Sequence, residues 1–198
     1  MKRNTAELKE KLIETGVTEI QKHGIDKLSL RTVAKTCGVT HATPYRHFKS
    51  KEDYLRVVLK RLSAFLSQEM QQGLQKEPTA RKQLAKMGFN FIAFAQTYPY
   101  FFEALFVKFP FKYMEVTQET IVTHYDLPGF DHFKSIVKKL RKEEGFSNSE
   151  TETLFHFWSF ISGLAILTKS PIGADLDNRA IQTTINHMLD IYIKGERS

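Results

Sequence analysis

VTHATPYRHFKSKED, residues 39–53, decides how this chain folds. Thr40 can cap a short helix that carries Tyr45 and Phe48. Ser50 followed three residues later by Asp53 is a capping-box pattern at the head of another helix. Between the two caps stands Pro44, and a proline inside a helix costs about 3 kcal/mol or more, because it removes a hydrogen bond and clashes with the previous turn. The first N–H groups of a helix have no internal partner, so a proline there loses little. With Thr40 as cap Pro44 is the fourth helical residue, and with His41 as cap it is the third. A residue before proline is pushed away from helical angles, which here is Thr43. The expectation is a short helix, distorted at its start.

Outward from this stretch the pattern is helical on both sides. Leu8, Leu12, Gly16 and Ile20 recur every four residues, with Ile13 and Val17 beside them, which predicts a helix over 5–23 stopped by Gly24. Ser29 can cap a second short helix whose inner residues are Leu30, Val33, Ala34 and Cys37, ended by Gly38. Downstream, Val58, Leu62 and Phe65 continue a fourth helix from Lys51 to about Gln72. Three helices, the second and third short and joined by a tight glycine-containing turn, form a helix-turn-helix.

Charge points the same way. Residues 1–60 hold 13 Lys and Arg against 7 Asp and Glu, a net of +6 in a chain whose total is +7. A basic excess confined to one third of a chain suits a polyanion, since lysine and arginine displace the counterions of phosphates; a solvated charged surface has the same composition. The single cysteine, Cys37, excludes an internal disulfide and any multi-cysteine metal site. His41 and His47 have no carboxylate or cysteine at a metal-ligand spacing, and no metal or cofactor is expected. No glycine-rich phosphate loop and no Ser/His/Asp or Cys/His arrangement is present, so an enzyme is not expected. No apolar run reaches the roughly 18 residues of a membrane span, and MKRNTAELKEKL lacks the apolar core of a secretory signal. The expected location is the cytoplasm, with no membrane partner.

With these residues in place the chain resembles the TetR family of bacterial transcriptional regulators. The resemblance is carried by GI at 24–25, LSLRTVAKTCGV at 28–39, THATPYRHF at 40–48 and KSKEDYL at 49–55. YPYFFEALF at 98–106 and FHFWSFISGLAIL at 155–167 resemble segments of the family's regulatory domains more weakly. The resemblance implies an all-α fold with a three-helix helix-turn-helix domain, residues 1–50, and a larger helical ligand-binding and dimerisation domain, residues 51–198, joined through the helix at 51–72. In such a unit the N-terminal residues of the reading helix face base edges, here Thr40, His41, Ala42 and Thr43. Tyr45, His47 and Lys51 match family positions that hold the phosphate backbone, although Tyr45 could instead pack on the first helix.

The second region is unusually aromatic: 11 of residues 89–113 are Phe or Tyr. Such a run can fill a core or line a ligand cavity, since ligand pockets have mostly apolar walls. The resemblance implies a small effector, and the candidate lining is Phe94, Phe102, Phe106, Tyr125 and Trp158, with His124 and Ser162 as polar handles. A DNA-binding regulator without an effector is the alternative. Residues 112–124 and 130–144 read as two helices, the second basic on one face. Residues 149–168 are apolar on nearly every side, which requires cover all round. The expected cover is a second copy, with Phe155, Ile161, Gly163 and Leu164 meeting Ile181, Ile185, Met188, Leu189 and Tyr192 of the last helix. A two-fold dimer of this kind implies a palindromic DNA operator and, as in most of the family, a repressor.

Overall fold

A computed structural model describes residues 5–108, 114–117, 121–123, 128–170, 173 and 176–197. Its elements are α1 (Thr5–His23), α2 (Leu30–Thr36), α3 (Lys51–Gln71), α4 (Ala80–Thr97), α5 (Pro99–Phe102), β1 (Met114–Val116), β2 (Ile121–Thr123), α6 (Pro128–Glu144), α7 (Glu150–Thr168) and α8 (Asn178–Glu196). Short 3-10 turns lie at Ile25–Lys27, Pro44–Arg46 and Leu74–Lys76, and Glu103–Lys108 winds as a π-helix. The fold class is all-α with one small hairpin. No described helix is long and apolar enough to cross a membrane.

The chain divides into two compact units, Met1–Ser63 with Tyr98–Pro110, and Ala64–Thr97 with Phe111–Ser198. This differs from the expected boundary at residue 50: α3 begins in the first unit and ends in the second, and a distant segment returns to the first.

In the first unit α1 buries Leu12, Ile13, Gly16 and Ile20. Gly24, at φ 78°, ends the helix while its N–H donates to the Ile20 carbonyl. Ser29 caps α2, its Oγ accepting from the Thr32 N–H, and Leu30, Val33, Ala34 and Cys37 face inward as expected. The Cys37 thiol meets the Thr15 hydroxyl at 3.1 Å, tying the end of α2 to α1. α3 lays Tyr54, Val58, Leu59 and Leu62 into the same core, whereas Leu55 is half-buried. The Tyr54 hydroxyl crosses to donate to the Leu12 carbonyl at 2.7 Å.

In the second unit α4 is the central element, with α6, α7 and α8 packed on it. Leu84, Met87, Phe91, Ile92, Phe94 and Ala95 of α4 are all buried. Asn90, also buried, donates to the carbonyls of Met70 and Gln72 and so satisfies carbonyls left over at the end of α3. Ser149 and Glu152 form a capping box at the head of α7, and Asp177 caps α8. Arg141 of α6 donates to the Ser149 carbonyl and the Thr153 hydroxyl, clamping α6 to the start of α7.

One expected element is corrected. Residues 112–124 are not a helix where described: Met114–Val116 and Ile121–Thr123 pair as an antiparallel hairpin, with Val116 opposite Ile121. Six of residues 114–123 are β-branched, stiff side chains that favour extended backbone. The apolar stripe of the last helix, expected to meet a second copy, is buried within the single chain. Ile181, Ile185 and Leu189 are 1%, 2% and 1% exposed within the single chain, and Leu164 is likewise buried. α4 packs against both α7 and α8, so these four side chains are already covered within one chain. Tyr192 is also engaged within the chain, its hydroxyl accepting from Asn148 Nδ2 at 2.7 Å and lying 3.0 Å from His156 Nδ1.

Candidate nucleic-acid interface

Between Gly38 and α3 the chain makes two tight turns in place of an α-helix. The Thr43 N–H donates to the Thr40 carbonyl, the Arg46 N–H to Thr43, and the His47 and Phe48 N–H groups to Pro44. Pro44 is the first residue of the 3-10 turn, earlier than either expected position, and it is buried. It therefore forfeits no turn bond. Thr43 contradicts the expectation of extended backbone, standing at φ −62° and ψ −44°. Its N–H and carbonyl both take part in turns, and its hydroxyl pairs with that of Thr40 at 2.9 Å. These bonds outweigh a steric bias that is a preference and not a prohibition.

This double turn groups the expected reading residues on one short segment. Thr40, His41 and Ala42 are exposed and Thr43 is half-buried. Tyr45 is 57% exposed, so it is not a core aromatic of this chain. His47 is half-buried, its ring 6.3 Å from that of Phe48. Phe48 anchors the segment: it is 2% exposed and meets the Tyr54 ring edge-on at 4.9 Å. Lys9 of α1 reaches over Phe48, its ammonium 5.7 Å from the ring centre, and Arg46 and Lys49 are exposed nearby.

Lys51 opens α3, exposed at a helix N-terminus where an anion is favoured. The cap below it is nearly the expected box: Ser50 Oγ accepts from the Asp53 N–H, and the Asp53 carboxylate accepts from the Lys49 N–H, one residue before the cap. The Arg56 guanidinium, with that Lys49 amide, holds the Asp53 carboxyl below its ordinary range. Burial, reinforced by Cys37 and Glu19, pushes the Tyr54 phenol above its ordinary range and keeps it a neutral donor.

Sequence reasoning missed Tyr54. The signal available was Gly16, since a glycine within a helix costs about 1 kcal/mol relative to alanine and implies a close neighbour. The neighbour is the Tyr54 hydroxyl, 2.1 Å from where a Gly16 Cβ would stand.

The expected ligand residues do not gather in one unit. Phe102 and Phe106 lie in the first, with ring centres 5.0 Å apart. Phe94, Trp158 and Ser162 lie in the second, Phe94 against Phe65 at 6.0 Å and Trp158 against Phe130 at 5.4 Å. Phe94 and Phe102 are almost wholly buried, and the Ser162 hydroxyl is buried without a hydrogen-bond partner. His124 and Tyr125 lie outside the described residues. Among the described residues no cluster of three His, Cys, Asp or Glu could hold a metal.

Residues 12–58 match the family described as bacterial regulatory proteins, tetR family. No curated protein matches the chain. Several solved structures share its fold. A protein with unknown function from Rhodococcus sp. RHA1 is 16% identical, with 96% of each chain covered and a TM-score of 0.73. A TetR family transcription regulator from Marinobacter aquaeolei VT8 is 16% identical over 96% of this chain and 97% of its own, with a TM-score of 0.67. The transcriptional regulator FadR from Bacillus subtilis, solved with stearoyl-CoA, is 16% identical over 91% and 96%, with a TM-score of 0.68. The helix-turn-helix segment, residues 12–58, thus matches the TetR family of bacterial regulatory proteins, and the rest of the chain shares the fold of solved regulators.

Proposed function

We propose that the protein is a repressor that binds a palindromic DNA operator as a homodimer and is released by a small, largely apolar effector. The observation that carries the reading is the exposed segment Thr40–Lys51, held by buried Pro44 and Phe48, which presents His41, Ala42 and Tyr45 outward. Thr40, His41, Ala42 and Thr43 contact base edges, while Tyr45, His47 and Lys51 hold phosphates.

The dimer forms through the outer faces of α7 and α8. Phe155, Ile166 and Leu167 of α7 are 44%, 55% and 48% exposed, and Ile191 of α8 is 60% exposed. Of the residues expected at this interface, Phe155, Gly163 and Met188 remain available to a second copy, while Ile161 packs on Gly88 of α4. The effector is taken up in the second unit beside Trp158 and the unpartnered Ser162 hydroxyl. FadR, which shares the fold, was solved with an apolar-chained ligand and supports this reading.

Selection from random duplex DNA at near-physiological salt tests the regulator. A palindromic motif retained by two copies is the expected result, and salt-sensitive binding without sequence preference refutes it. Apolar compounds that raise the melting temperature and release the selected DNA support the effector. If none does both, the regulator has no effector and its aromatic residues are core alone.

A further inference from the structure

The helix-turn-helix unit is discontinuous in sequence. Residues 98–108 pack with residues 5–63 although α4 and the end of α3 intervene. Three contacts hold the segment there. α5 lies against α1, its Phe101 and Phe102 buried, and Ala104 of the following π-helix is buried as well. The Tyr100 ring closes on Gly24, 3.3 Å from where a Cβ would stand. Lys108 Nζ meets Asp26 Oδ2 at 2.6 Å, with Glu103 Oε1 at 3.9 Å.

All three bear on α1 or on the link from α1 to α2. Gly24 ends α1, and Asp26 sits in the 3-10 turn that leads through buried Leu28 to Ser29, the cap of α2. The clasp forms at the end of a π-helix, a rare winding that is frequent at functional sites. The segment is also joined at both ends to chain of the second unit, so it is a covalent connection between the units additional to α3.

We propose that Tyr98–Lys108 completes the DNA-binding unit, and that Lys108, through Asp26, is a positioning residue for the start of α2 and hence for the reading segment. The DNA half of this proposal rests on the regulator reading above. A family match over residues 12–58 omits this part of the unit.

The test uses the full chain with Lys108→Glu, which sets three carboxylates together, and the reversal Asp26→Lys/Lys108→Glu. Amide exchange is followed without DNA, and affinity for the selected operator is measured against salt concentration. Lys108→Glu is expected to speed exchange between Ile25 and Val33 and to weaken operator binding, each by about two- to fivefold, the scale of an exposed ion pair. The reversal is expected to restore both.

Unchanged exchange overturns the proposal. So does operator binding that stays at the wild-type level while exchange speeds up. A salt slope lowered by about one in Lys108→Glu also overturns it, since that marks a direct phosphate contact. If the wild type selects no DNA sequence, the regulator reading fails, and exchange alone decides whether Lys108 positions α2.

Discussion

Gly16→Ala isolates the contact that sets α3 against α1. On helix propensity alone the change stabilises an α-helix interior by about 1 kcal/mol. Here the new Cβ would lie 2.1 Å from the Tyr54 hydroxyl oxygen, 2.9 Å from its Cζ and 3.1 Å from Val58 Cγ2. Tyr54 has no exposed surface and cannot swing into solvent, so its ring must shift within a packed core. Overpacking of this kind costs about 1–3 kcal/mol. The shift also stretches the 2.7 Å bond to Leu12, and a buried hydroxyl deprived of its partner costs about 1–3 kcal/mol. Subtracting the propensity gain leaves a net loss of about 1–5 kcal/mol.

Denaturant unfolding followed by amide exchange in α1 and α3 measures this loss in the first unit. Adding Tyr54→Phe removes the oxygen that the Cβ strikes, so the double variant should be less destabilised than the sum of the singles, by about 1 kcal/mol or more. A neutral or stabilised Gly16→Ala, or strict additivity with Tyr54→Phe, would refute the reasoning.

Three further outcomes are expected. Lys51→Gln weakens operator binding evenly across sequences and lowers the salt slope by about one, whereas His41→Ala alters preference at one base position by about 1–3 kcal/mol; competition binding at several salt concentrations separates them. Ile166→Glu converts dimers to monomers in sedimentation without lowering the stability of the chain, because the side chain is 55% exposed there. Asp53→Asn is less stable than the wild type at neutral pH, and the gap closes in acid. The folded carboxyl is depressed by Arg56 and the Lys49 amide, so its contribution is complete above the unfolded value of about 3.9 and fades as pH falls through the folded one. A pH series of denaturant midpoints measures the gap, and one that widens toward acid contradicts the sign.

Much of this protein follows from short-range pattern. The spacing of Leu12, Gly16 and Ile20 specifies α1, and Ser29 and Ser50 mark starts that their hydroxyls do cap. The proposed reading residues are legible because a helix-turn-helix packs its spacing into one short stretch. The loss of the third α-helix was partly legible in Pro44, but the helical angles of Thr43 depend on a hydroxyl pair and two turn bonds that form together.

Other features required the tertiary structure. A stripe such as Ile181, Ile185 and Leu189 states that a helix is covered on one side, and it carries no mark of whether the cover is α4 or a second copy. Burial removes the same apolar surface from water either way. Nor does any local pattern bring Lys108 to Asp26 across 82 residues, or Tyr54 to Gly16. Periodicity and capping are settled within a few turns of backbone, so the sequence by itself determined most of the helices and marked the candidate reading stretch. Which buried faces meet is settled by packing among segments distant in the chain, and only the tertiary structure decided that.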